Sequence, residues 1–420
     1  SASNQQDELV EEAFTITVTE GKVAPKVAGG DSHTLLLTSD GTVYSFGNGG
    51  WGKLGHGNSD QLLVPTAIVS DELADKTIID VAAGNIHSML LASDGTVFTF
   101  GGSSNGQLGH NDTDARDVPT KIESPNLDGK QITAIDADGE FSMLLASDGT
   151  VFTFGSNLFG QLGHGDEDDR TVPTRIDSDI LEGQIIKAID IGRQHSILLA
   201  SDGSVFTFGI SNGGQLGHGD RIKRSEPKKI DSANLVEKEI VDMSAGLTHS
   251  VLLAKDGTVF TFGLGSSGRI GHGDETDKLV PTEITSPNLD GKIVVKTGSG
   301  HMHNLLLTSD GTILTFGAGS QGQLGHGDND DRLEPVEITS TNFDGKLITD
   351  IDGGVLHSIL LDSDGNFYTF GLGSNGRLGH GDDDNRNVPT EITEFQSPPQ
   401  TPQDAYEAPE IQFPADNMDL

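Results

Sequence analysis

The chain has 420 residues, with 26 Lys and Arg against 64 Asp and Glu, a formal net charge of −38 and no cysteine. Nucleic-acid binding needs a basic surface, so this charge argues against DNA, RNA and anionic membrane surfaces as partners. Without cysteine there is no disulfide framework, thiolate metal site or cysteine nucleophile. No apolar run approaches the roughly 20 residues of a membrane span, so we expect no membrane insertion.

Residues 1–26 form an N-terminal segment. It begins with the acidic SASNQQDELVEE, and AFTITVTEG at 13–21 alternates like a strand that could complete a sheet of the following domain. Which sheet it would join is left open. A first residue Ser1 in place of Met suggests processing, and an acidic, cysteine-free chain slightly favours an extracytoplasmic or organelle-lumen location, with the cytoplasm as the alternative.

Residues 27–393 form a repeat array. The phrase LLASDGTVFTFG at 90–101 returns unchanged at 144–155, and the glycine that ends it recurs every 54 residues without insertion or deletion, at Gly47, Gly101, Gly155, Gly209, Gly263, Gly317 and Gly371. A fixed period of this length indicates a solenoid or propeller of like units.

Each repeat predicts a small antiparallel sheet. Asp-Gly between two apolar runs is a strong hairpin signal. Phe98 and Phe100 stand two apart in the second run, so they lie on one face of a strand, where we expect them to form the core between neighbouring sheets. Three to four short strands per repeat, without helical periodicity, predict an all-β fold: a seven-bladed β-propeller.

The stretch GNIHSMLLASDGTVFTFGGSSNGQLGHNDTDARDVPTKI at 84–122 resembles the regulator of chromosome condensation repeat, and GQLGHGD stands intact at 160–166, 214–220 and 322–328. The resemblance implies a seven-bladed propeller. Its members include an exchange factor for the GTPase Ran, which uses a basic tail and an inserted wedge, and a plant UV-B photoreceptor, which uses clustered tryptophans. This chain has an acidic N-terminus, no insertion and the single Trp51, so we expect neither role.

Thirteen of the 14 histidines follow the repeat, in Leu/Ile-Gly-His or Gly-x-x-His. A residue present once in each blade is far from its copies, so we interpret these histidines as structural. Only His301 breaks the pattern, and the third repeat has Phe141 in the Gly-x-x-His position. No Ser-His-Asp group stands apart from the repeats, so we predict no enzyme, no catalytic residue and no cofactor.

Acidic loops such as GDEDDR at 165–170 place Asp residues two apart, as calcium loops do. The position that a calcium loop would give to a further ligand holds a cation instead, in Arg116, Arg170, Arg224, Lys278, Arg332 and Arg386. We therefore expect local ion pairs and no specific metal site.

The positions where the repeats differ are the candidate binding residues, because the scaffold does not dictate them. One variable pair precedes the histidine of Gly-x-x-His and includes Arg193 and the pair His301-Met302; a second variable position precedes GQLG and includes Trp51 and Phe159, with Leu158 beside it. Large apolar residues in Ser/Asn/Gly loops are typical of interfaces, although they could also pack against the blade edge.

The loop DRIKRSEPKKI at 220–230 is basic in an otherwise acidic protein. It predicts a docking site for an acidic partner or a second copy, with a solvated loop as the alternative, through Arg221, Lys223, Arg224, Lys228 and Lys229.

Residues 394–420 form an acidic, proline-rich tail whose composition predicts disorder in isolation. If it is ordered, Tyr406, Ile411 and Phe413 are the residues expected to hold it. For the whole chain we predict a non-catalytic scaffold that binds a protein partner or a neighbouring subunit. The alternatives are a self-assembling structural or surface component and a guanine-nucleotide exchange factor for a small GTPase.

Overall fold

The computed structural model describes residues 22–340, 342 and 345–396. These residues form seven four-stranded antiparallel sheets, each from one continuous stretch of chain and each with its strands in sequence order, which confirms the predicted seven-bladed propeller. The predicted strand at 13–21 and the residues Tyr406, Ile411 and Phe413 lie outside the described residues.

The blades are numbered in chain order. Their strands are β1 (Lys26–Gly29), β2 (His33–Leu37), β3 (Val43–Gly47) and β4 (Leu62–Ala67) in blade 1; β5 (Ile78–Ala83), β6 (His87–Ala92), β7 (Val97–Gly101) and β8 (Arg116–Lys121) in blade 2; β9 (Ile132–Asp138), β10 (Phe141–Ala146), β11 (Val151–Gly155) and β12 (Arg170–Arg175) in blade 3; β13 (Ile186–Ile191), β14 (His195–Ala200), β15 (Val205–Gly209) and β16 (Arg224–Lys229) in blade 4; β17 (Ile240–Ala245), β18 (His249–Ala254), β19 (Val259–Gly263) and β20 (Lys278–Glu283) in blade 5; β21 (Val294–Ser299), β22 (His303–Thr308), β23 (Ile313–Gly317) and β24 (Arg332–Glu337) in blade 6; and β25 (Ile348–Gly353), β26 (His357–Asp362), β27 (Phe367–Gly371) and β28 (Arg386–Glu391) in blade 7.

The helices among the described residues are single 3-10 turns between strands, at Gly50–Gly52, Asp71–Leu73, Pro125–Leu127, Asp179–Leu181, Ala233–Leu235, Ser266–Gly268, Pro287–Leu289 and Ser374–Gly376. No helix in the described part of the chain is long and apolar enough to cross a membrane.

The second and third strands of each blade are joined by the predicted Asp-Gly turn. In blade 2 the Gly95 N–H donates to the Ala92 carbonyl at 2.9 Å, and Gly95 has a φ of +81°, which a residue with a Cβ rarely adopts. The Asp94 carboxylate accepts from the Thr96 N–H at 3.0 Å and fixes the turn.

Hydrophobic cores lie between the blades. Phe98 and Phe100 are almost fully buried and pack against Leu35 and Leu37 of blade 1, as the spacing predicts. The same arrangement recurs at each junction and ends with Phe46 of blade 1 against residues of blade 7, so the ring is closed. A single sheet cannot bury both of its faces, and its two neighbours cover them.

A hydrogen bond also joins most blades. His33 Nε2 lies 2.8 Å from Ser88 Oγ of the next blade. That hydroxyl donates its only proton to the Lys53 carbonyl at 2.8 Å, so it accepts from the imidazole, which is therefore protonated on Nε2. Five further histidines contact the side chain at the equivalent position of the next blade. The partner is a serine hydroxyl for His87, His195 and His303, the Thr34 hydroxyl for His357 and the Asn304 Oδ1 for His249. These bonds support the structural interpretation of the Gly-x-x-His residues.

The end of the described chain binds blade 1. Gln396 pairs in parallel with Thr66, its N–H donates to the Pro65 carbonyl at 2.8 Å, and its carbonyl accepts from the Ala67 N–H at 3.1 Å. The ring of Phe395 lies edge-on to Tyr44, with 5.1 Å between centroids. The first three residues of the expected tail, 394–396, therefore lie against the propeller.

Candidate functional site

The two kinds of variable loop lie at one end of the propeller. In an antiparallel sheet whose strands follow the chain order, the loop between strands one and two and the loop between strands three and four emerge at the same end. We call this end the variable-loop face; it comprises loops such as 30–32 and 48–61 of blade 1 and their equivalents. The Asp-Gly turns and the loops between blades lie at the opposite end.

Neighbouring blades bring their variable positions together on this face. Asn105 of blade 2 donates to the Glu140 carboxylate of blade 3 at 2.6 Å. Trp51 of blade 1 and Ile86 of blade 2 both approach Gly102, where a Cβ would lie 3.4 Å and 2.6 Å from them. Two positions that are about 35 residues apart in the sequence thus form one continuous surface.

Apolar side chains project from these loops. Trp51 is 64% exposed and has a φ of +65°, the left-handed region that a bulky residue rarely adopts. Leu158 is 62% exposed, whereas Phe159 is half-buried and its N–H donates to Gln161 Oε1 at 2.9 Å. Trp51 and Leu158 are therefore available to a partner, and Phe159 only in part.

Arg193, His301 and Asp138 meet at the mouth of the central channel, and the first two are predicted binding residues. His301 Nδ1 lies 3.5 Å from Arg193 Nη1, and His301 Nε2 lies 3.5 Å from Asp138 Oδ1. Burial alone would raise the pKa of Asp138, but His301 and Arg193 lower it below its usual value. Met302, beside His301, is half-buried. The side chains come from blades 3, 4 and 6, so they span non-adjacent parts of the ring.

The first strands of the blades line the channel, which encloses about 310 Å³. Its wall carries more carboxylates than cations. Asp136 accepts from the Ile191 N–H of blade 4 at 2.7 Å, and Asp352 accepts from the Gly29 N–H of blade 1 at 2.8 Å. These carboxylates thus connect adjacent first strands.

Burial sets the protonation of these channel carboxylates. It raises the pKa of Asp352 to about 7 and raises the pKa of Asp136 and Asp190 above their usual values. Lys296 forms an ion pair with Asp350; burial alone would lower its pKa, but this carboxylate raises it. No group of three His, Asp or Glu residues in the described ranges could hold a metal ion.

The basic loop is partly neutralised by its neighbours. Arg221 reaches Asp277 of blade 5 at 2.5 Å, Lys223 pairs with Glu167 of blade 3, and Arg224 pairs with Asp220 at 2.8 Å. Lys228 and Lys229 on β16 are exposed and form no ion pair within the described residues. Of the five predicted basic residues, these two keep the most accessible charge.

The recurrent cations of the acidic loops form the predicted ion pairs. Arg170 lies 2.6 Å from Asp166, and the Arg side chain also donates to the Asp168 carbonyl at 2.7 Å. The equivalent pairs are Arg116–Asp112, Arg224–Asp220, Lys278–Asp274, Arg332–Asp328 and Arg386–Asp382. The cation thus orders the turn around its carboxylates.

Sequence reasoning missed Asp138 and the channel carboxylates. A signal for them was present, because Asp136 and Asp138 alternate in ITAIDAD and therefore share one face of β9. Nothing in one sequence showed that this face lines the axis.

Two family models match the chain. The model of the RCC1-like domain matches residues 2–301, and that of the regulator of chromosome condensation (RCC1) repeat matches residues 310–361 and 364–401. The chain is 33% identical over 331 residues to the ultraviolet-B receptor UVR8 of Arabidopsis thaliana, which covers 79% of this chain and 73% of the receptor.

Other relatives are much longer. The probable E3 ubiquitin-protein ligase HERC4 of Homo sapiens is 35% identical over 347 residues, 82% of this chain but 32% of the ligase. The E3 ubiquitin-protein ligase HERC2 of Mus musculus is 31% identical over 338 residues, 80% of this chain and 7% of the ligase.

Two solved structures share the fold. Yeast RCC1 (Prp20), bound to Kap60, superposes with a TM-score of 0.74 at 20% identity, over 90% of this chain and 86% of that one. Human WBSCR16 gives 0.71 at 23% identity, over 80% and 86%.

Proposed function

This chain belongs to the RCC1-repeat family of β-propellers, and from that premise we propose that it acts as a non-catalytic platform that binds a protein partner through its variable-loop face. The observation that supports this most is the exposure of Trp51 and Leu158, 64% and 62%, on loops held by a closed ring. Large aromatic and aliphatic side chains on a rigid support contribute strongly to protein interfaces, because little entropy is lost when they are covered.

The junction of blades 3 and 4 adds charge to this surface. The Gly165 N–H donates to the Ser225 carbonyl at 2.8 Å, so the loop between β11 and β12 of blade 3 lies against the start of β16 in blade 4. Blade 3 exposes Leu158, and blade 4 exposes Ile222, which is 63% accessible and lies within the basic loop 220–230. Apolar contact area beside positive charge suits a partner with an acidic, amphipathic surface.

One structural relative, yeast Prp20, binds proteins. Prp20 has been solved with Kap60, and its binding to Gsp1p and histones has been studied. Those partners belong to Prp20; here they support the general use of the fold as a protein-binding scaffold. The acidic composition of this chain suits neither nucleic acid nor an anionic membrane.

The proposal is tested by capture from native extract followed by cross-linking and mass spectrometry. Wild type is compared with Trp51→Ala and with the double variant Leu158→Ala, Phe159→Ala. Val236→Ala is the matched control, since Val236 is 68% exposed at the opposite end. We expect a discrete partner whose recovery falls at least fivefold in the first two variants and is unchanged in the control.

Equal recovery in all variants would contradict the proposal. Nucleotide release from a purified small GTPase would support the exchange-factor alternative, and a mass that rises with protein concentration would support self-assembly.

A further inference from the structure

Three departures from the repeat converge at one point of the variable-loop face. The glycine before the first variable position is replaced in blade 3 alone, by Asp138, and Arg193 and His301 stand at variable positions of blades 4 and 6. The repeat does not require any of these side chains. Nevertheless His301 lies 3.5 Å from both of the others, across the channel mouth.

The third repeat lacks the histidine that would clash with a side chain at position 138. At the equivalent glycine of blade 2, Gly84, a Cβ would lie 2.4 Å from the ring of His87, and the other histidine-bearing blades show the same clash. Blade 3 has Phe141 in place of this histidine, and Phe141 is fully buried in the core between blades 3 and 4. The loss of the histidine and the gain of the carboxylate are therefore linked. This link indicates that Asp138 belongs to a specific side-chain cluster with His301 and Arg193.

One neutral form of His301 satisfies both contacts. If Nε2 carries the proton, it donates to Asp138, and the lone pair on Nδ1 accepts from Arg193. His301 is 7% exposed, so it is held in place, while Arg193 is half-buried and reaches the mouth. Asp138 thus positions the imidazole that contacts the guanidinium, and the described residues show no ion pair between Asp138 and Arg193 within 4.0 Å.

Arg193 is left with unused donors. No carboxylate lies within 4.0 Å of it among the described residues, whereas arginines of the outer loops such as Arg170 and Arg332 have one at 2.6 Å and 2.7 Å. Its own contact is a single one at 3.5 Å, at the limit of a hydrogen bond. A guanidinium fork with open donors matches the two oxygens of a carboxylate.

We propose that Arg193 binds a carboxylate carried by a segment of the partner that docks on the variable-loop face, an inference that rests on the proposed function. A singly charged carboxylate fits better than a phosphate. Asp138 lies close behind the mouth, and its carboxylate would repel a doubly charged group more strongly than a singly charged one. The carboxylate belongs either to a chain terminus or to an Asp or Glu side chain.

Three short peptides test the proposal without the partner. One is an acetylated glycine peptide with a free C-terminal carboxylate, the second is its amide, and the third is the amide with a central Glu. Binding is followed by NMR of the Arg193 Nε–H and the His301 imidazole. We expect a carboxylate peptide to bind and the neutral amide to give no shift; a response to the first or to the third identifies a terminal or a side-chain source.

Matched variants establish that Arg193 is responsible. Arg193→Gln and Arg193→Lys are each expected to weaken binding of the carboxylate peptide about tenfold, which corresponds to about 1.4 kcal/mol. The first variant removes the charge, and the second keeps the charge but loses the guanidinium fork. Arg175→Gln, which removes an exposed arginine of β12, is expected to bind like wild type. Thermal unfolding of each variant checks that the fold is retained.

The proposal is overturned if neither carboxylate peptide binds more tightly than the neutral amide, or if Arg193→Gln binds like wild type. Partner capture reports separately on the proposed function. Peptide binding at Arg193 without any effect of Trp51→Ala or of the Leu158→Ala, Phe159→Ala variant on capture would reject that function alone. The reverse result would reject only the carboxylate site.

Discussion

His357 Nε2 of the last blade lies 3.0 Å from Thr34 Oγ1 of the first, so the polar bond that joins successive blades also closes the ring. The Thr34 hydroxyl donates in turn to the Arg377 carbonyl at 2.9 Å. Both groups are buried, and removal of the hydroxyl would leave two polar partners unsatisfied.

We expect Thr34→Val to lower the free energy of unfolding by about 1–3 kcal/mol, because it leaves the His357 N–H and the Arg377 carbonyl without partners. Chemical denaturation measures this loss. Thr34→Ser keeps the hydroxyl and loses only the methyl group, so it should cost less; a loss for Thr34→Val no larger than that for Thr34→Ser would contradict the role assigned to the hydrogen bonds.

Phe395→Ala is expected to destabilise the junction of blades 7 and 1. The ring contacts Tyr44 and Phe367 at centroid distances of 5.1 Å and 6.3 Å and is 40% exposed, so we expect a loss of about 1–2 kcal/mol. Hydrogen exchange of individual backbone amides measures the local effect of the substitution. The Ala67 amide, which donates to Gln396, should exchange faster, while the Ile68 amide, bonded within blade 1, should be unchanged.

Asp352→Asn tests the channel carboxylates. Burial raises the pKa of Asp352 in the folded protein to about 7, above the value of about 3.9 for an unfolded Asp. The folded state therefore holds the proton more tightly, and the resulting stability is present below pH 3.9 and is lost as the pH rises through 7.

Relative to wild type, Asp352→Asn should therefore gain about 1 kcal/mol between pH 6 and pH 9, because the amide cannot ionise. Urea denaturation at the two pH values measures the difference, and the comparison cancels the contributions of the buried histidines. An equal stability difference at both pH values would show that Asp352 does not change its charge in this range.

Lys228→Glu with Lys229→Glu tests the basic loop. These two lysines form no ion pair within the described part of the chain, so their reversal should weaken binding of an acidic partner without breaking blade contacts. The effect should shrink as salt rises from 0.1 to 1 M, since the Debye length falls from about 10 to about 3 Å. Lys121→Glu, at the strand position equivalent to Lys229 in blade 2, is the control. Unchanged affinity at low salt would identify 220–230 as a solvated loop.

The fold could be predicted because its determinants are local and repeated. The spacing of Phe98 and Phe100 indicates a strand and its buried face, and the pair Asp94-Gly95 indicates the turn. The site depends instead on neighbours that the chain order does not reveal. Asp277 and Glu167 reach the basic loop from two other blades, and Asp138 meets His301 from a distance of 163 residues. Such contacts follow from the closure of the ring.

Each blade is formed by one uninterrupted stretch of chain, and this has a mechanical consequence. Among the described residues no strand of a sheet is exchanged between the first and last blades. The two ends of the ring are joined by side-chain contacts, by the short pairing of Gln396 and by a few backbone hydrogen bonds such as that from the Gly381 N–H to the Leu63 carbonyl at 2.9 Å. A force applied to the two ends would load that junction first. Blades would then detach one at a time, each releasing about 180 Å of extended chain for its 54 residues.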